Sequence, residues 1–540
     1  MFPLFGRRVG LWSRLLVVSS ALLTASLRAE ELNLDVLTRL RQEGFRHSKV
    51  MDTLGELTDR IGPRLTGSPS VRKANEWTRD QFAAWGLVNA RLEPWGPFGE
   101  GWSEESAAVR MTAPDVAQLY AIPRPWTPGT GGPVRAQVVF AAIKAKEDIE
   151  KYRGKLAGKI VLFGDLPENR AGPKNAQLSD QDLDDIFHYQ IPADRDAGRG
   201  EIAKRLELSA ALREFWVQEK PLAVITPSRG TDGTIFVQAT GQTYQAGKHD
   251  PVTNLSMAAE HYSRLKRLVD RKQAVELEIN VAATFYPDGL TQNNTLAEIT
   301  GTDPKRKEEV VMLGAHLDSW CGATGVTDNA AGSAVVMEAM RILKAAGIQP
   351  RRTIRAALWT GEEQGLLGSG AYVEQHFAAR ADTTDAEELK LPKFLWRDEN
   401  RTVTLKPDQA KVAAYFNLDN GAGKVRGIYA QDNMSVAPIF ETWIAPLKDL
   451  GVTTVTRRNT GSTDHISFDS AGIPAFQFIQ DDLDYMTRTH HSNMDTPEHA
   501  KREDLMQASV VMAWFVYNAA MRDDMLPRKP LIQPVPAAAK

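Results

Sequence analysis

The sequence predicts an α/β protein with a mostly parallel central sheet flanked by helices and an inserted β-rich domain. Three observations carry that prediction. From about Val310 onward, apolar strand-like runs alternate with runs of helical period, the pattern of a parallel sheet covered on both faces. Between about Val134 and Gly247 the runs shorten to β-like stretches. A Pro/Gly-rich segment, Pro123 to Pro133, stands where the character changes.

Taken in order, residues 1–29 read as a secretory signal peptide. Arg7, Arg8 and Arg14 precede the apolar stretch Leu15 to Leu27, which is too short for the ~20 residues of a membrane span, and Ala29 ends it. Residues 30–125 are expected to form the N-terminal part of the main domain. There Asp52 to Ile61 has helical spacing, Gly62 to Pro69 is a loop, Ser70 to Trp85 resumes the helix until Gly86, and Ala90 to Trp95 alternates as a strand. Residues 126–255 are expected to be the inserted domain, with strands Val134 to Ala142, Lys159 to Phe163, Leu222 to Pro227 and Thr234 to Ala239. A polar, helical insertion, Leu178 to Glu219, interrupts them. Residues 256–525 carry the alternating pattern: strands Val310 to Ala315, Thr353 to Thr360, Lys411 to Leu418 and Ala475 to Ile479, helices Ala330 to Ala346, Leu366 to Ala379, Val436 to Leu450 and Arg502 to Met521. Residues 526–540 are a Pro/Ala-rich tail.

Composition narrows the function. With 42% hydrophobic and 25% charged residues the chain can bury a large core. Its 65 basic and 68 acidic residues nearly cancel, which argues against a nucleic-acid partner. Loss of residues 1–29 would remove four arginines and no acid, taking the formal charge from −3 to −7. One cysteine, Cys321, excludes an internal disulfide and a thiolate-rich metal site. The expected product is exported, periplasmic or secreted, with no stable membrane insertion after cleavage.

In a parallel sheet, ligands bind beyond the C-terminal strand ends. Those ends hold His316-Leu317-Asp318, then Asp328-Asn329 at the mouth of the next helix, Glu362-Glu363, Asn417-Leu418-Asp419, and a loop with His490-His491-Ser492-Asn493-Met494-Asp495-Thr496. Imidazoles and carboxylates converging without thiolates suit zinc, or cobalt or manganese in its place. They are too many for one tetrahedral ion and fit two ions sharing a carboxylate, as in a hydrolytic two-metal site.

These motifs resemble, in order, those of the zinc-dependent exopeptidases, the family of two-zinc aminopeptidases and plasma glutamate carboxypeptidase. The likeness extends to Ile61-Gly62-Pro63-Arg64-Leu65-Thr66-Gly67-Ser68, to Asp464-His465, and to Lys155 to Phe163, which resembles a protease-associated domain. The resemblance implies the zinc exopeptidase fold and two Zn2+ ions. It makes Asp328 the bridge, with His316 and Asp419 completing one site and Glu363 and His491 the other, Glu362 the general base, and the Asp328-Asn329 peptide cis. Asp318 is expected to take the second N–H of His316. His490, Asp464, His465 and Tyr485 are the candidates for contact with substrate. The implied activity is aminopeptidase or dipeptidase cleavage of short peptides, with the inserted domain capping the crevice and a homodimer compatible with the reading. A glutaminyl cyclase, a carboxypeptidase-type member and an inactive binding module on the same fold are the alternatives.

Overall fold

Two eight-stranded sheets organise the computed structural model, which describes residues 31–166, 177–190, 199–239, 241 and 243–534. The expected signal segment and the end of the tail lie outside these residues. Among those described, no helix is long and apolar enough to cross a membrane.

The first sheet runs in the order 88–95, 292–299, 353–359, 310–316, 412–417, 475–480, 425–429, 454–456. Its central four strands, Thr353–Trp359, Val310–His316, Val412–Asn417 and Ala475–Gln480, are parallel, with His316 beside Trp359 and Gly314 beside Asn417. All seven residues of Val310–His316 are buried, as expected of a strand covered on both faces. Antiparallel strands Val88–Trp95 and Gln292–Ile299 extend one side, and Val425–Tyr429 joins the other antiparallel to Ala475–Gln480. Gln292–Ile299, Val425–Tyr429 and Thr454–Thr456 go beyond the strands expected from sequence; each is short or interrupted by polar residues, so periodicity alone does not reveal it.

Helices Ala331–Ala345, Arg502–Met521 and Leu34–Arg46 pack together against this sheet. The last two approach closely at Gly44, where a Cβ would stand 2.3 Å from Val510 Cγ2 and 3.1 Å from Ile342 Cδ1. Gly44→Ala should therefore lower the thermal midpoint: overpacking costs about 1–3 kcal/mol and outweighs the ~1 kcal/mol that alanine gains in helix propensity. A raised midpoint would show that the contact yields without strain.

The second sheet spans 101–286, wider than the 126–255 expected. Its long strand Gly101–Ala113 is rich in Ala, Ser and Glu and gives little strand signal, yet it pairs along its whole length with Glu276–Tyr286, whose Leu277, Ile279 and Val281 face the core. Thr234 to Ala239 is not a strand of this sheet. It is an irregular hook whose one ladder contact, Phe236 with Ser492, belongs to the histidine loop.

The polar insertion forms helices Asp180–Phe187 and Arg199–Glu219. The first begins at a reciprocal cap, Ser179 Oγ accepting from Asp182 N–H and the Asp182 carboxylate from Ser179 N–H. It docks on the edge of the first sheet, where the Thr456 hydroxyl donates to Ile186 O and the Arg457 side chain to Tyr189 O. The insertion thus reaches from the second sheet to the first.

Candidate metal centre

The site begins with how two imidazoles are held. His316 ends its strand, and its Nδ1 donates to the Asp318 carbonyl oxygen at 3.0 Å. A carbonyl can only accept, so Nδ1 is committed there and Nε2 is the nitrogen left for the acids, facing Asp328 Oδ1 at 3.2 Å and Asp419 Oδ1 at 3.3 Å. On the other side His491 presents Nε2 to Glu363 Oε2 at 3.0 Å and Asp328 Oδ2 at 3.2 Å. Asp328 stands between the two imidazoles, one carboxylate oxygen toward each.

The Asp318 carboxylate, the expected second partner of His316, faces the same Nδ1 from farther away than the Asp318 carbonyl does. The carboxylate of Asp318 stays 3.6 Å from Nδ1; it takes the Thr66 hydroxyl at 2.8 Å and faces the backbone N–H groups of Glu362 and Glu363, each at 3.4 Å. Asp318 thereby aligns the turn that carries both glutamates, while its main chain fixes the histidine.

Asp328 is held from behind by Asp495, whose Oδ1 accepts from Thr327 N–H at 2.6 Å and whose Oδ2 accepts from Asp328 N–H at 3.1 Å. Burial, with the nearby Asp328 charge, pushes the Asp495 carboxyl up to about 7. The Asp328-Asn329 peptide is cis. Arg64 is wholly buried beside this loop and donates to the carbonyls of Leu57, Gly62, Leu317, Thr324 and Gly325.

Whether these residues suit a cation is decided by their own unmet needs. Among the described residues Glu363 Oε1 is buried without a hydrogen-bond donor, and buried Asp328 Oδ2 has the two imidazoles His490 and His491 beside it. Two triads have ligand atoms within 4.8 Å of one another, His316-Asp328-Asp419 and Asp328-His490-His491, and they share Asp328. Burial opposes charge on His491, yet Glu363 and Asp328 push its imidazole up to about 10. Burial drives Glu362 well above the carboxylate range, with Asp419, Asp464 and Glu363 adding to it against His316. So strong a negative field, lined by N and O donors and by no sulfur, fits divalent cations.

The candidates for substrate contact separate. Glu362, Tyr485 and His490 line a cavity of about 1500 Å³ that the insertion helix closes with Leu206, Arg213 and Trp216. His490 stacks on His491 with centroids 3.7 Å apart, and its Nε2 is 3.8 Å from Asp328 Oδ2, so it belongs with the donors as much as with the substrate wall. Burial first, then the carboxylates of Asp328, Asp419 and Glu363, hold the Tyr485 phenol well above its usual pKa. Asp464 and His465 do not reach the cavity. They are buried at 0% and 1% exposure, behind a wall formed by residues 460–463, because the short helix His465–Asp469 turns inward to place Phe468 in the core. His465 Nε2 contacts Gln431 and the Thr460 carbonyl instead.

Sequence reasoning missed the work of Arg64 and Asp495, although both stand in motifs it singled out. It missed Gln238 altogether, since TIFVQA reads as an ordinary strand.

Residues 294–516 match the model of peptidase family M28. Carboxypeptidase Q of Bos taurus is 26% identical over 486 residues, covering 90% of this chain and 88% of that one. Among solved structures, a peptidase M28 precursor from Shewanella amazonensis is 22% identical with a TM-score of 0.64, covering 92% of this chain and 98% of that one. The zinc aminopeptidase BSAP from Bacillus subtilis is 19% identical with a TM-score of 0.55, covering 88% and 95%. Both share the fold of this chain. From the match of residues 294–516 to peptidase family M28 and the two acid-linked histidine clusters at the strand ends, the chain is a metallopeptidase.

Proposed function

We propose that this protein is an exported dinuclear zinc exopeptidase acting on short peptides as an aminopeptidase or dipeptidase. The observation that carries the reading is Asp328 standing between two imidazoles whose Nε2 atoms face it at 3.2 Å. His316 and Asp419 would hold one ion, Glu363 and His491 the other, with Asp328 shared. His490 stands ready as a further donor. When bound, two zinc ions would polarise the peptide carbonyl and make water acidic; cobalt or manganese would suit the same donors.

The chain supplies the rest. Glu362 reaches the cavity while the adjacent Glu363 faces His491, so one carboxylate is left to take a proton from the attacking water and deliver it to the leaving amine. Tyr485, kept protonated, is placed to donate its phenol proton to the developing oxyanion. The roof formed by Arg199–Glu219 supports a preference for short chains. The apolar stretch Leu15 to Leu27 behind three arginines supports export.

The zinc aminopeptidase named above supports zinc and N-terminal cleavage, and the relative called carboxypeptidase Q favours the carboxypeptidase-type alternative. Amino-acid amides, free dipeptides, N-acylated dipeptides and a peptide with N-terminal glutamine separate these readings from a cyclase. Chelation should abolish turnover, and about two equivalents of zinc should restore it. Full turnover by the metal-free protein, or none by the zinc-loaded one on the whole panel, would overturn the proposal.

A further inference from the structure

The β-rich domain does more than roof the cavity: it reaches into the metal centre through the hook after Ala223–Pro227. Ser228 organises the hook, its hydroxyl donating to Thr234 O and accepting from Gly230 and Phe236 N–H. The hook is tied to its own sheet by Ser256, which donates to Phe236 O. It is tied equally to the histidine loop. Asn493 Oδ1 accepts from Ile235 N–H at 2.7 Å, Asn493 N–H donates to Ile235 O, and Val237 N–H donates to His491 O at 2.8 Å. Gly322 lets the two segments meet, since a Cβ there would stand 2.6 Å from Val237 Cγ1.

At the tip of this hook Gln238 Oε1 stands 2.9 Å from His491 Nδ1. An amide oxygen only accepts, so Nδ1 carries a proton and Nε2 is the nitrogen aimed at Glu363 and Asp328, the one a cation would claim in place of its proton. The Asp318 carbonyl does the same for His316. Each imidazole therefore has its tautomer set by an acceptor behind it, one from its own strand end and one from the other domain.

We propose that Gln238 is a positioning residue for His491, through which the β-rich domain completes one of the two ion sites. The inference rests on the two-ion reading above. Outer partners of this kind typically change metal affinity 10–100-fold. Residues with no acceptor at 238 would leave the His491 ring free to turn or to place its proton on Nε2, which blocks a cation there. The site built on His316 and Asp419 has no such dependence.

Zinc titration of the full chain against a chromophoric chelator, with metal content and the melting of the metal-free protein measured in parallel, tests this. Wild type should bind two equivalents. Gln238→Leu should bind one with unchanged affinity and the other about 10–100-fold more weakly, with the metal-free melting temperature unchanged. Gln238→Glu, which restores an acceptor, should recover most of the loss. Two wild-type affinities in Gln238→Leu would overturn the inference, as would equal losses in both variants with lowered melting, since Gln238 would then merely hold the fold. Wild type binding no zinc would overturn the two-ion reading itself, a different outcome from either.

Discussion

Glu362→Gln should lower kcat by about 10²–10⁴-fold, the usual worth of a positioned general base, while leaving metal content and KM close to wild type. Glutamine matches the shape of glutamate and keeps the cavity wall, but it cannot carry a proton. Glu362 and Glu363 follow a strand end, and Asp318 faces both their backbone N–H groups, so their side chains are sent to different tasks. Both border the cavity, but Glu363 is engaged by His491 at 3.0 Å. The contrast between neighbours makes the test specific, for Glu363→Gln should instead lose bound zinc. Misfolding is separable as well. The Glu362 carboxylate is buried near Asp419, Asp464 and Glu363, whose charges disfavour its ionisation, so removing it should leave the metal-free protein no less stable. A kcat within tenfold of wild type, at full metal content, would exclude Glu362 as the base.

Most of this architecture could be read from the chain because the sheet is buried on both faces. Strands such as Val310–His316 are continuous apolar runs, and helix Arg502–Met521 has the bounds its pattern predicts. The candidate donors were legible for the same reason: His316, Asp419 and the glutamate pair end or closely follow such runs. What stayed hidden depends on contacts between distant segments. Gly101–Ala113 becomes a strand because Glu276–Tyr286 lies beside it, not because its own residues insist on it. Thr234 to Ala239 has the composition of a strand, but several of its hydrogen bonds go to residues more than 250 positions away. Asp464 beside a histidine reads as chemistry, whereas the fold turns both residues inward.

Arg64→Leu should cost about 3–5 kcal/mol of unfolding free energy, the range for stripping a buried charged group from its partners. Arg64 is 0% exposed and among the described residues has no carboxylate in contact; its five side-chain hydrogen bonds all go to backbone carbonyls. Two of these carbonyls, Leu57 and Gly325, also accept from Gly62 and Ala330 N–H and keep a partner after substitution. The carbonyls of Leu317, Thr324 and Gly62 have no other donor among the described residues, and each orphaned acceptor costs about 1–3 kcal/mol before water relieves part of it. Burial lowers the guanidinium to about 10, against the raising effect of Asp495, Asp318 and Asp328, so it stays charged at neutral pH. Its positive charge is thus compensated through the metal centre's own acids rather than by a private ion pair. The segment it clasps, 317–325, joins His316 to Asp328, and a loop released there would separate the two residues on which one ion site depends. Arg64→Lys keeps the charge but offers three donors from a single nitrogen, and should recover only part of the loss. Urea midpoints of the metal-free proteins measure the effect directly. A loss under about 1 kcal/mol in Arg64→Leu, below the cost of even one unpaired buried carbonyl, would mean that the loop holds its shape without the guanidinium.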